Sequence, residues 1–113
     1  MLDAQSELEN FGNCLQRFGF RGNNQYILDD NPSLLSCLDA SEQLSQYLNK
    51  GEKTLVLHIF VGHVVSIHGM HCLVLNELSD DDPTFCKVFK AEQDIKTLAS
   101  KHPSSYHIAV FEC

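Results

Sequence analysis

The chain has 113 residues, which is enough for one compact domain with a single core and too few for two. A fifth of the residues are charged, as in an ordinary soluble globule, and the net charge of −7 leaves no cluster of Lys and Arg of the kind phosphate recognition needs, which excludes nucleic acid as the main partner. No stretch is apolar for long enough to cross a bilayer, and the N-terminus, with Asp3, Glu7 and Glu9, lacks the basic and apolar regions of a secretory signal, so a cytoplasmic protein without membrane partners is expected.

Asp3 or Ser6 can cap a first helix, on which Leu8, Phe11, Leu15 and Phe18 recur at three- and four-residue steps and share one face, with Gly19 as its stop. A short extended piece through Tyr26-Ile27-Leu28 follows. Asn31-Pro32 reads as the N-cap and first turn of a second helix, with Leu34, Leu35, Leu38, Leu44, Tyr47 and Leu48 inward and a stop near Lys50-Gly51. Thr54 to Val61 is an almost unbroken run of branched and aromatic residues, the pattern of a central parallel strand buried on both faces. Gly62 and His63 end it. Val64-Val65-Ser66-Ile67 and Cys72-Leu73-Val74-Leu75 then pair as a hairpin around His68-Gly69-Met70-His71. An acidic loop from Glu77 to Pro83 and a brief apolar patch, Val88-Phe89, lead to a third helix, Ala91 to Lys101, with Ile95, Leu98 and Ala99 inward and His102-Pro103 closing it. Tyr106 to Phe111 is a second buried strand, followed by Glu112 and Cys113. Helices alternating with apolar strands imply right-handed crossovers onto a mainly parallel sheet, hence an α/β fold.

Five cysteines, at positions 14, 37, 72, 86 and 113, are odd in number and without tight spacing, which favours reduced thiols over a disulfide framework. Cys14 and Cys37 fall within helical patterns and are expected in the core. His63 and Cys113 each follow an apolar strand. In open α/β sheets ligands gather beyond the C-terminal ends of the strands, so two neighbouring parallel strands would bring these residues to one edge, where an imidazole can take a thiol's proton or stabilise its thiolate. Fifty residues separate them, the interval found between the His and Cys of caspases.

The run Leu57 to His63, followed by a hairpin, an acidic loop, a helix and Ile108 to Cys113, resembles the catalytic-subunit core of the caspase-like clan, which comprises caspases, metacaspases and paracaspases. The similarity extends over nearly the whole chain, Gly62-His63 being its specific motif. It implies a single partial domain over residues 1–113: a three-layer sandwich of sheet between helices, incomplete because the family's first strand would precede Asp3 and its small-subunit part would follow the cysteine. It further implies a cysteine endopeptidase in which His63 is the general acid/base and the backbone N–H of Val64 contributes to the oxyanion hole, although the family carries glycine there. Two alignments of the last residues stay open. In one Cys113 is the nucleophile; in the other Glu112 takes the acidic position of the S1 pocket, selecting Arg or Lys at P1, and the nucleophile is the residue after Cys113. Turnover by this polypeptide alone is not expected.

His58 and His107, within strands, read as hydrogen-bonded interior residues. His68, His71 and Cys72 are close enough in the hairpin turn to raise a zinc site, but only three ligands are local, and no metal or cofactor is expected. Calcium enters only by analogy with metacaspase-like members and has no assignable residues. The partners implied are protein or peptide substrates, and an incomplete sheet would add homo- or hetero-association through its exposed edge. The alternative is a degenerate caspase-like regulatory module without catalysis.

Overall fold

The computed structural model describes residues 9, 10, 13, 14, 17 and 32–112. Expectations for the apolar face of the first helix, the extended piece near Tyr26 and the side chain of Cys113 lie outside the described residues, whereas the cap expected at Asn31 is Ser33 instead. Glu9, Asn10, Asn13, Cys14 and Arg17 are helical and exposed, so Cys14 belongs to the solvent side rather than the core.

The first helix described in full, α1, runs Leu34–Leu48. Its N-cap is Ser33, whose hydroxyl accepts a hydrogen bond from the Ser36 N–H at 3.0 Å, with Pro32 just outside. Cys37 and Leu48 are its buried residues, and Leu34 packs against the core. Leu35 and Leu38, expected inward, are 68% and 49% exposed. Burial pushes the Cys37 thiol up to about 11, helped by the nearby carboxylates of Glu77 and Asp94.

Strand β1, Thr54–Val61, pairs in parallel with β5, Ser105–Glu112, from Thr54 opposite Ser105 to Val61 opposite Glu112. Three further strands form a separate antiparallel sheet in the order β2 (Val64–Ile67), β3 (Met70–Leu78), β4 (Cys86–Phe89). Helix α2, Ala91–Lys101, connects β4 to β5. The fold is therefore α/β, but not mainly parallel. Among the described residues one ladder is parallel and two are antiparallel, because the links joining β2, β3 and β4 are too short for a crossover. Glu77 and Leu78, expected in the acidic loop, belong to β3, and the loop proper begins at Ser79.

The hairpin turn has two residues rather than four. His68 and Gly69 take φ of 52° and 77°, the paired positive values of the turn that matches strand twist, so β3 already starts at Met70.

In-register parallel pairing puts paired residues on one face. Phe60 and Phe111, stacked at 5.1 Å between ring centroids, lie on the covered face, where Phe60 meets Phe89 and both border the cluster of Cys37, Leu73, Leu75, Phe89 and Ala91. The opposite face carries Leu55, Tyr106, Ile108 and Val110, 49%, 59%, 52% and 37% exposed. Strands β1 and β5 are thus not buried on both faces among the described residues. Both also lie at sheet edges, since the described sheet to which they belong has only these two strands.

Candidate active site

The register of β1 and β5 holds to their C-terminal ends. Val61 lies opposite Glu112, and the Gly62 N–H donates to the Glu112 carbonyl at 3.0 Å. Gly62 has φ of 142°, a conformation that L side chains rarely adopt, and a Cβ there would stand 3.8 Å from Leu73 Cδ1. This glycine turns the chain out of β1, and His63 follows, exposed, at the edge where β5 also ends. The His63 carbonyl accepts from the Val74 N–H at 2.9 Å, which ties the backbone of residue 63 to β3.

Val64 sits opposite Leu73 in the antiparallel ladder. Since residues 63 and 74 are joined by a hydrogen bond, the alternation of the ladder makes Val64 a non-bonded pair, and its N–H points away from β3. Half-buried Val64 carries its side chain against the core. Glu112 is exposed and forms no ion pair among the described residues. The His63 side chain has no orienting hydrogen bond among them either.

A second imidazole near this edge, weighed in the sequence only as a zinc ligand, is His71. His71 stacks on Phe111 with centroids 4.8 Å apart, and Glu92 Oε1 accepts both from its backbone N–H at 3.0 Å and from its Nδ1 at 2.8 Å. Hydrogen bonds from His71, followed by the one from Lys96, hold the Glu92 carboxyl down to about 2. The carboxylate thus fixes Nδ1 as a protonated, donating nitrogen. Glu92 lies in the first turn of α2, so a sequence signal existed only as an acidic residue at a helix start. Its pairing across to β3 is tertiary.

His58 and His107 form an interior chain. The Ser105 hydroxyl donates to the His102 carbonyl, so His107 Nε2–H donates to Ser105 Oγ at 2.8 Å, and His107 Nδ1 accepts from His58 Nε2–H at 2.9 Å. Every ring in this order is neutral. Burial, and then His107, pulls His58 down to about 4, while burial followed by His102 lowers His107. The direction of donation also rules out Ser105 as a nucleophile activated by His107, because the serine proton is held by a backbone carbonyl.

The cluster weighed as zinc ligands does not converge. His71 is exposed and paired with Glu92, whereas Cys72, adjacent on the strand, is buried on the other face and 2% exposed. Asp80 pairs with Lys87 at 3.3 Å, and Asp82 caps Thr84, so the acidic loop does not gather its carboxylates. Among the described residues, no three His, Cys, Asp or Glu side chains are grouped to hold a metal ion. No described helix is long and apolar enough to cross a membrane.

A cavity of about 200 Å³ lies at the opposite end of the strand pair, lined by Leu48, Gly51, Glu52 and residues of the Lys101–Ser105 link. A shallower cleft runs between the hairpin turn and α2, past His68, Met70 and Lys96. Neither touches His63, Val64 or Glu112. Comparison with protein-family models, with curated proteins and with solved structures returned no match.

Proposed function

We propose that the chain is a caspase-like cysteine endopeptidase domain of the large-subunit kind, the parallel pair forming part of a three-layer sandwich and peptide bonds being cleaved by a Cys-His dyad in the cytoplasm. His63 is the general acid/base, Cys113 supplies the thiol, and the Val64 N–H serves the oxyanion. The observation that supports this reading is the in-register parallel pair that keeps Gly62 bonded to Glu112, because His63 and Glu112, the residue before Cys113 in sequence, share one strand edge. In the first step the thiolate attacks the scissile carbonyl carbon while the imidazolium of His63 later protonates the departing amine; water then releases the acyl group. In the other alignment, where the nucleophile is the residue after Cys113, Glu112, an exposed carboxylate without an ion-pair partner among the described residues, suits a substrate with Arg or Lys at P1. Efficient turnover needs pocket walls that the described residues do not supply, so covalent labelling is the sensitive readout.

The test is labelling by peptidyl acyloxymethyl ketones with Arg or Asp at P1, followed by peptide mapping. Modification of Cys113, lost in His63→Ala, is the expected result. Preference for Asp would remove the Glu112 assignment, and labelling indifferent to His63 would remove the dyad.

One observation favours a regulatory module without catalysis: no hydrogen bond among the described residues orients the His63 ring. Under that reading the affinity reagents leave Cys113 unmodified while the domain still folds.

A further inference from the structure

We propose that Ser66, His71 and Glu92 form a second nucleophilic site, one that takes acyl groups from small esters onto the Ser66 hydroxyl. The three residues come from β2, β3 and α2, so no spacing in the sequence joins them. Ser66 stands directly opposite His71 in the antiparallel ladder. Residues 63 and 74 are hydrogen-bonded, and Ile67 and Met70 close a two-residue turn, so alternation makes Ser66 and His71 a non-bonded pair. In such a pair the side chains share one face with Cβ atoms about 4.5–5.5 Å apart, which brings a serine hydroxyl within one rotamer change of an imidazole. The His71 N–H agrees with this phase, since it turns away from β2 and donates to Glu92 Oε1 at 3.0 Å.

Each group is in the state that acyl transfer needs. Glu92 Oε1 accepts from His71 Nδ1 at 2.8 Å, Lys96 holds Glu92 Oε2 at 3.1 Å, and Phe111 lies against the imidazole with centroids 4.8 Å apart. The ring is therefore held in one orientation, and in its neutral form the lone pair is on Nε2. Neither Nε2 nor the Ser66 hydroxyl has a hydrogen-bond partner among the described residues. Ser105 differs, its proton being given to the His102 carbonyl. Strand β2 is outermost in its sheet among the described residues, and the same alternation turns the Ser66 N–H out from that edge. This donor is on the nucleophile itself, beside the position where an oxyanion develops.

As Ser66 Oγ bonds to the ester carbonyl carbon, its proton passes to His71 Nε2. The adduct then breaks its bond to the leaving oxygen, which departs as an alcohol with that proton. Water, giving its proton to the same nitrogen, cleaves the acyl-serine, releases the carboxylic acid and restores Ser66. Ser66 is exposed and the His71 side chain is 55% exposed, so little of a ligand is enclosed. Small esters with good leaving groups, which draw little on binding energy, are the matching substrate class.

The experiment treats the full chain, its accessible thiols first blocked with iodoacetamide, with a fluorophosphonate and maps the product by mass spectrometry. Serine oxygen displaces fluoride at phosphorus, and the serine proton leaves with it. The expected adduct is on Ser66. His71→Gln slows its formation by about a hundredfold, whereas His68→Gln, which removes the neighbouring turn imidazole, leaves it unchanged. Glu92→Gln lowers the limiting labelling rate by about tenfold with half-saturation by the reagent unmoved, as a positioning residue does and a lost fold does not. Turnover of p-nitrophenyl acetate falls in Ser66→Ala to the level of free imidazole at the same histidine concentration. Absence of an adduct on Ser66 would overturn the proposal. Equal labelling of the urea-unfolded chain, an unchanged rate in His71→Gln, or unchanged ester turnover in Ser66→Ala would do so as well. Because a serine carries the adduct, these outcomes are independent of Cys113 and of the peptidase reading.

Discussion

His58 is held neutral because burial and the neighbouring His107 both penalise its charged form, and this fixes the sign of a pH effect. Its pKa is about 4 in the folded chain against the ordinary 6.5. Below pH 6.5 the unfolded chain takes up a proton that the folded chain refuses, so the stabilisation is complete above 6.5 and is lost as the pH falls toward 4. His107 acts in the same direction. Thermal melts should show Tm falling across this window, and His58→Gln, which keeps a donor toward His107 but does not titrate, should flatten that fall. Parallel profiles for the two proteins would refute the assignment. Thiols divide by the same logic of burial. Cys14 and Cys86 are exposed, Cys37 and Cys72 are buried, and the Cys37 thiol is pushed up to about 11. At pH 8 a disulfide reagent should modify Cys14 and Cys86 within minutes, and Cys37 and Cys72 only on unfolding. Mapping of the modified peptides checks this.

At the scale of elements, two glycines govern the path from β1 into the hairpin. Gly62 at φ 142° redirects the chain beside Glu112, and Gly69 at φ 77° completes the two-residue turn. A β-branched residue at 69 meets no neighbouring atom, so Gly69→Val isolates backbone strain and should cost about 1–3 kcal/mol in urea denaturation. Ser33→Ala should remove about 1 kcal/mol by leaving the Ser36 N–H without its acceptor. These elements were unevenly legible. Helix α2 has the bounds its periodicity predicts, because Ala91 and Leu98 face one way and His102-Pro103 cannot continue it. The cap of α1 is Ser33, two residues past the Asn31 that the sequence suggests, because the Ser33 hydroxyl accepts from the Ser36 N–H. The hairpin was found but its turn was overlong, because Met70 and His71 look like turn flanks until their pairing with Ile67 and Ser66 is known.

On the scale of the whole molecule, the apolar runs identified β1 and β5 and their parallel relation, but not what lies against them. Leu55, Ile108 and Val110 belong to strands that read as buried, and they are exposed among the described residues because covering is decided by elements remote in sequence. The same limit hid the Glu92–His71–Phe111 cluster and the serine–histidine chain, whose members lie in different elements or on alternate strand positions. His63 was legible because glycine and histidine end a strand abruptly; whether an imidazole there acts on a thiol is a matter of geometry that spacing cannot supply. The decisive measurement is the pH dependence of Cys113 alkylation by iodoacetamide, followed by mass spectrometry in the native chain and in His63→Ala. A Cys-His dyad predicts an inflection below the ordinary thiol value of about 8.5, moving up by about one pH unit or more when His63 is removed. Superimposable profiles in the two proteins would contradict it.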